Sequence, residues 1–166
     1  PSNTVYPGFK DYKQLQFGWE DGDQWTPAEC DVSIRPGWFY HEKEDSKVKT
    51  VEDLCDLYYK SVGHNATMLL NFPVDKDGLI HPIDSANAVN FHRKIRQELS
   101  VNLLKGITPK VDSQQGKHIG KNIIDGQYDT FWASKKKKDA YIEFQLGKPK
   151  SITRLMLQEY IPLGQR

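Results

Sequence analysis

Residues 50–72 read Thr50-Val51-Glu52-Asp53-Leu54-Cys55-Asp56-Leu57-Tyr58-Tyr59-Lys60-Ser61-Val62-Gly63-His64-Asn65-Ala66-Thr67-Met68-Leu69-Leu70-Asn71-Phe72. Thr50 with Asp53 three residues on stands in capping-box position, where two side chains satisfy N–H groups that a helix start leaves unpaired. Val51, Leu54, Cys55, Tyr58 and Val62 then recur at helical spacing, which predicts a helix with one apolar face. Gly63 is the expected stop. Residues 67–72 follow as a nearly continuous apolar run, the pattern of a strand buried on both faces of a parallel sheet. Residues 75–78 make a turn. Asp84 or Ser85 is expected to open a second helix, with Ala88, Val89, Ile95, Leu99 and Leu103 towards a core. Helix, buried strand and helix in that order predict an α/β fold.

Outward from this stretch the signals weaken. Residues 1–28 hold Gly, Asp, Gln and aromatics without a period and read as irregular loop. Short β-prone stretches at 32–34 and 38–40 flank the Pro36-Gly37 turn signal. The charged run 42–49 reads as a solvated loop. Near Gly106 the pattern changes. Residues 106–119 look like a connector, and from Asn122 onward β signals alternate with turns: IID, TFW, then Tyr141-Ile142-Glu143-Phe144-Gln145-Leu146, then Ile152, Leu155, Met156, Leu157 and Ile161. Short strands divided by turns predict the start of an antiparallel β-sandwich, with Trp132 in its core.

Composition excludes several classes. The 166 residues carry 23 basic and 22 acidic side chains, a net charge of +1. Such a balance argues against a dedicated nucleic-acid or membrane-surface binder, and no apolar run is long enough to span a bilayer. The lysines at 135–138 are flanked by Asp129 and Asp139 and read as a solvated loop. Asp75 and Asp77 before Gly78 lack the spacing and closing Glu of a calcium loop, so no metal is expected there. Cys30 and Cys55 form no metal-ligand pattern. Cys55 lies on the apolar helix face and is expected to be a buried thiol, with a Cys30–Cys55 bridge left open.

The chemistry concentrates in residues 25–41, WTPAECDVSIRPGWFYH. Trp25 and Trp38 offer flat apolar faces suited to sugar C–H groups, against core packing as the alternative. Arg35 and His41 offer donors to hydroxyls. For Arg35 the alternative is a structural ion pair, with Asp31 the partner in view, and for His41 an exposed or loop-pinning role. Glu29 beside aromatic surface suits a general acid, because apolar surroundings raise a carboxyl pKa. Asn71 and Phe72 end the apolar run, where a barrel strand would present residues to an active site; the favoured alternative for Asn71 is a cap on the turn at Pro73.

These strings resemble, in order, the C-terminal part of the barrel of α-L-fucosidases in glycoside hydrolase family 29. The carriers are WTPAECDVSIRPGWFYH, VEDLCDLYYKSVGHN and TMLLNFPVDKDGLIHPID. Further on, NIIDGQYDTFW, YIEFQLGKPKSITRLMLQEYI and LGQR are similar to the opening of a discoidin-type, galactose-binding-like domain. The resemblance implies a C-terminal portion of a (β/α)8 barrel over residues 1–105, a linker over 106–119, and an incomplete antiparallel β-sandwich over 120–166. A complete barrel takes ~250 residues, so the chain is expected to be a fragment.

Family 29 enzymes are retaining. The resemblance therefore implies a covalent fucosyl-enzyme on an aspartate, with Glu29 as acid/base and the two carboxyls about 5–5.5 Å apart. That aspartate has no counterpart among these residues, so the chain alone is expected to be inactive and to need the remainder of its parent. The implied substrate is a fucosylated oligosaccharide or glycoconjugate, bound with help from Trp25, Arg35, Trp38 and His41. No cofactor is implied, and neither nucleic acid nor membrane is an expected partner. A bacterial, periplasmic or extracellular location is implied by family habit. The rival of another class is a non-catalytic carbohydrate-binding or structural module.

Overall fold

The computed structural model describes residues 28–136, 138–160 and 162. The expectations for the N-terminal stretch, for Trp25 and for the terminal LGQR therefore lie outside the described residues. The chain divides into two compact units, Pro1–Val101 and Asn102–Arg166.

In the first unit, β1 (Glu29–Ser33) pairs in parallel with β2 (Thr67–Asn71), Glu29 opposite Thr67 and Ser33 opposite Asn71. Helix α1 (Val51–Ser61) lies between them in sequence, and α2 (Pro82–Glu98) follows. The capping box forms as expected: Thr50 Oγ1 accepts from Asp53 N–H, and Asp53 accepts from Thr50 N–H. Parallel strands need a crossover of a dozen or more residues, and α1 supplies it.

Ile34, Val48 and Leu54 form the core, with Leu57, Leu70, Phe72 and Phe91 packed against them. Side chains alternate across a strand, so Met68 and Leu70 turn to the helices while Thr67 and Leu69 turn away. Leu69 is 51 % exposed. The strand is thus covered on one face among the described residues, not on both. A cavity of about 710 Å³ on the helix side is lined by Tyr58, Met68, Leu70, Phe91 and Ile95.

Several local expectations need correction. Gly63 is not the left-handed stop. The helix tightens into a 3-10 turn, Val62–His64, and Asn65 takes the left-handed conformation with φ 66°. Asparagine tolerates that region where most residues do not. Helix α2 opens earlier than Asp84, because Pro82 sits in its first turn and His81 caps it by accepting from Ile83 N–H. Proline suits that position because a first-turn N–H has no partner to lose. Val89 and Leu99 stay about half exposed, and Leu103 lies beyond the helix end. Residues 38 and 39 form bends and residue 40 is irregular, in place of a strand, and the charged run 42–49 holds a 3-10 helix, Glu42–Lys47. Cys55 is buried as expected, and no disulfide joins it to Cys30.

In the second unit, β3 (Lys110–Val111) pairs antiparallel with β4 (Ile142–Glu143). The expected IID strand is the end of a 3-10 helix, Gly120–Ile124, and TFW is irregular. Gly120 is required where it stands, since a Cβ there would meet Val111 Cγ1 at 2.9 Å. Trp132 is half-buried and donates Nε1–H to Ser113 O at 2.9 Å. His118, Phe131 and Tyr160 stack, with ring centres 3.9 and 4.3 Å apart. The alternating run at 141–146 pairs only at Ile142–Glu143, and Leu155, Met156 and Leu157 are exposed. The full sandwich is not assembled among the described residues, because its apolar positions have no facing sheet.

Candidate active site at the strand ends

Polar chemistry gathers where β1 and β2 end. Past Ser33 the chain runs through Ile34 and Arg35 into a loop, residues 36–41. The Arg35 side chain is wholly buried. Its Nε and Nη2 donate to Asp84 Oδ2 and Oδ1 at 2.8 and 2.9 Å, and its Nη1 donates to Asp45 Oδ1 at 2.8 Å and His41 O at 3.4 Å. Asp84 is equally buried, in the first turn of α2. A two-pronged guanidinium–carboxylate contact of this kind fixes geometry as well as charge. The hydrogen bond that Arg35 donates to Asp84 is the main cause that raises the Arg35 pKa further, against burial. The guanidinium thus stays charged.

Around this pair the aromatic residues are ordered. Arg35 Cζ lies 4.6 Å from the centre of the Tyr40 ring, and Tyr40 stacks on His81 at 5.9 Å. Burial, and then the carboxylates of Asp45 and Glu42, push the Tyr40 phenol up. His81 Nε2 stands 3.5 Å from Asp45 Oδ2. The loop is also tied to β2: Asn71 Nδ2 donates to Trp38 O and to Ser33 Oγ, both at 3.1 Å, and Ser33 Oγ donates to Gly37 O at 2.8 Å. Trp38 remains 50 % exposed, and Phe39 and His41 are exposed beside it.

The predicted residues therefore separate. Trp38 and His41 share the loop after β1. Arg35 lies beneath it, its buried side chain donating from Nε and Nη2 to Asp84 and from Nη1 to Asp45. The ion-pair alternative holds, with Asp84 and Asp45 as partners in place of Asp31. Glu29 is exposed at the first residue of β1. At ~3.3 Å per residue, four residues of strand put it about 13 Å from Ser33. Glu29 thus stands at the opposite end of β1 from the loop that carries Trp38 and His41.

Asp84 was not legible as a site residue, and for Asn71 the strand-end position was legible but its partners were not. Asp84 is 49 positions from Arg35 and Asn71 is 33 from Trp38, so no local pattern signals either contact. Asn71 bonds across the sheet and does not cap the turn at Pro73. The turn is held instead by Asp75 Oδ1, which accepts from the N–H groups of Asp77 and Leu79.

Comparison with known proteins matches residues 4–91 to the alpha-L-fucosidase family and residues 108–165 to the F5/8 type C domain. Alpha-L-fucosidase 1 of Arabidopsis thaliana is 36 % identical over 150 residues, covering 87 % of this chain and 29 % of the relative. The solved structure of SpGH29 is 33 % identical with a TM-score of 0.77, covering 83 % of this chain and 30 % of that one. A Ruminococcus gnavus GH29 fucosidase solved in complex with fucose is 38 % identical with a TM-score of 0.71, covering 79 % and 27 %. The chain spans about 29 % of the length of the curated relatives that it matches. With its family match running through β1, α1 and β2, the chain belongs to the alpha-L-fucosidase family.

Proposed function

We propose that the whole protein is a retaining α-L-fucosidase that releases terminal α-L-fucose from oligosaccharides or glycoconjugates, and that residues 1–166 alone do not turn over. The carrying observation is the family match over residues 4–91, which spans β1, α1, β2 and the start of α2. The R. gnavus relative solved with fucose supports fucose as the sugar.

On this reading β1 and β2 are neighbouring strands of a (β/α)8 barrel. Parallel pairing, and helices packed on the Met68 and Leu70 side, support it. The face bearing Thr67 and Leu69 would line the barrel interior. Barrel enzymes work at the C-terminal ends of their strands, which here are Ser33 and Asn71. The loop at 36–41 then faces the sugar, with the Trp38 indole as an apolar platform and His41 as a donor. Arg35 holds that loop. Strand polarity speaks against Glu29 as acid/base, since it starts β1 at the opposite end.

The test is fucose release from an aryl α-L-fucoside by the whole enzyme. Trp38→Ala should lower kcat/KM about tenfold, in keeping with an aromatic contact of roughly 1–1.5 kcal/mol. Glu29→Gln should leave hydrolysis of good and poor leaving groups within a few-fold of the parent. Selective loss with poor leaving groups, restored in part by azide, would return the acid/base role to Glu29. No release of fucose by the whole enzyme would refute the activity.

A further inference from the structure

We propose that Asn71 is a positioning residue, setting where Trp38 sits by holding the loop backbone without touching the sugar. The inference rests on the reading that Trp38 faces the substrate. Asn71 is the last residue of β2 and lies opposite Ser33 in the parallel register. From that place it makes three hydrogen bonds, one to the loop and two to the residues that lead into it. Its carbonyl accepts from Ile34 N–H at 3.1 Å. Its side-chain amide donates one hydrogen to Trp38 O and the other to Ser33 Oγ. Ser33 in turn donates its hydroxyl hydrogen bond to Gly37 O.

The residue type matters. A carboxamide carries two N–H donors in one plane, and both are used here. An aspartate of the same size has no donor and would set negative charge against the Trp38 carbonyl. An alanine leaves that carbonyl and the Ser33 oxygen without this partner. With the Trp38 carbonyl tied, motion of the indole reduces to its own side-chain rotations. The far end of the loop is closed separately by Arg35, through His41 O. Trp38 is therefore an exposed ring on a backbone fixed on both sides.

The experiment is a double-mutant cycle in the whole enzyme, reading kcat and KM on an aryl α-L-fucoside. Asn71→Ala and Asn71→Asp should each lower kcat/KM roughly three- to tenfold, the size of a lost hydrogen bond. In a Trp38→Ala background the same changes should have no effect beyond about twofold, because a residue acting through Trp38 has nothing left to position. Hydrogen exchange should quicken over 34–41 in Asn71→Ala and stay unchanged over 51–61. Ser33→Ala, a milder cut in the same network, should repeat the pattern at smaller size if Asn71→Ala does not fold. Losses that add across the cycle overturn the proposal and make Asn71 an independent contributor. A harmless Trp38→Ala overturns the sugar-facing reading itself and the proposal with it.

Discussion

The unit ending at Val101 hides Ile34, Leu54 and Ile95, whereas the unit from Asn102 buries no large apolar side chain among its described residues. The second unit is laced by side-chain hydrogen bonds, such as Asn122 to Phe131 O and Thr130 to Asp125. The difference follows from where each element finds its partner. An amphipathic helix assembles from residues three and four apart and needs one surface to cover. A sandwich strand needs ladder partners and a facing sheet, both distant in sequence. The first unit closes a small core with two helices over two strands. The second shows two strands of two residues each, and Leu155, Met156 and Leu157 stay open.

The contrast can be broken by mutation, and the largest effect belongs to the buried ion pair. Asp84→Ala strands the Arg35 guanidinium without its bidentate partner and should cost about 3–5 kcal/mol in denaturant unfolding. Replacing both residues together, Arg35→Met with Asp84→Leu, should recover much of that loss. A cost under about 1 kcal/mol for Asp84→Ala would mean that the pair does not hold the first unit.

The same deletion in the two units sharpens the comparison. Leu54→Ala removes a side chain from a closed core and should cost about 2–5 kcal/mol. Thr50→Ala removes the cap of α1 and should cost about 1 kcal/mol. The cap is also sensitive to pH. Hydrogen bonds from the Thr50 backbone and hydroxyl hold the Asp53 carboxyl below its ordinary range, against a smaller effect of burial. A depressed folded pKa stabilises above the unfolded value of about 3.9, and the benefit fades as pH falls through the folded pKa. Helicity of α1 should therefore decline in acid more steeply in the parent than in Asp53→Asn, and parallel curves would exclude this cap as the sensor. The smallest effect is expected from Leu155→Ala, within about 0.5 kcal/mol because the side chain is 76 % exposed. A loss as large as that of Leu54→Ala would show that Leu155 is covered in solution.

Much of the first unit was legible because its signals are local. The Thr50–Asp53 box spans four residues, and the periodic apolar face of α1 spans eleven. The run at 67–72 marked a strand without stating how many of its faces are covered, since that depends on neighbours. The stretches at 38–40 and 42–49 were misjudged for a related reason. β-prone rings bend when Asn71 and Arg35 tie the backbone around them, and a charged run winds into a 3-10 turn when Asp45 meets Arg35. The place of Glu29 at the start of β1 was hidden for the same reason, since the linear order Glu29-to-Trp38 conceals a strand running between them.

The sequence by itself determined the helix α1 with its cap, the apolar strand after it, the change of character beyond Gly106, and the family through strings in a fixed order. Those features rest on contacts within a turn or on alternation along one element. Only the tertiary structure decided that Arg35 is a buried tie to Asp84, that Asn71 holds Trp38, and that Glu29 stands at the other end of β1. Each depends on the parallel register of β1 with β2 or on the docking of α2. A side chain's partner across 33 or 49 positions is set by packing that no local pattern encodes.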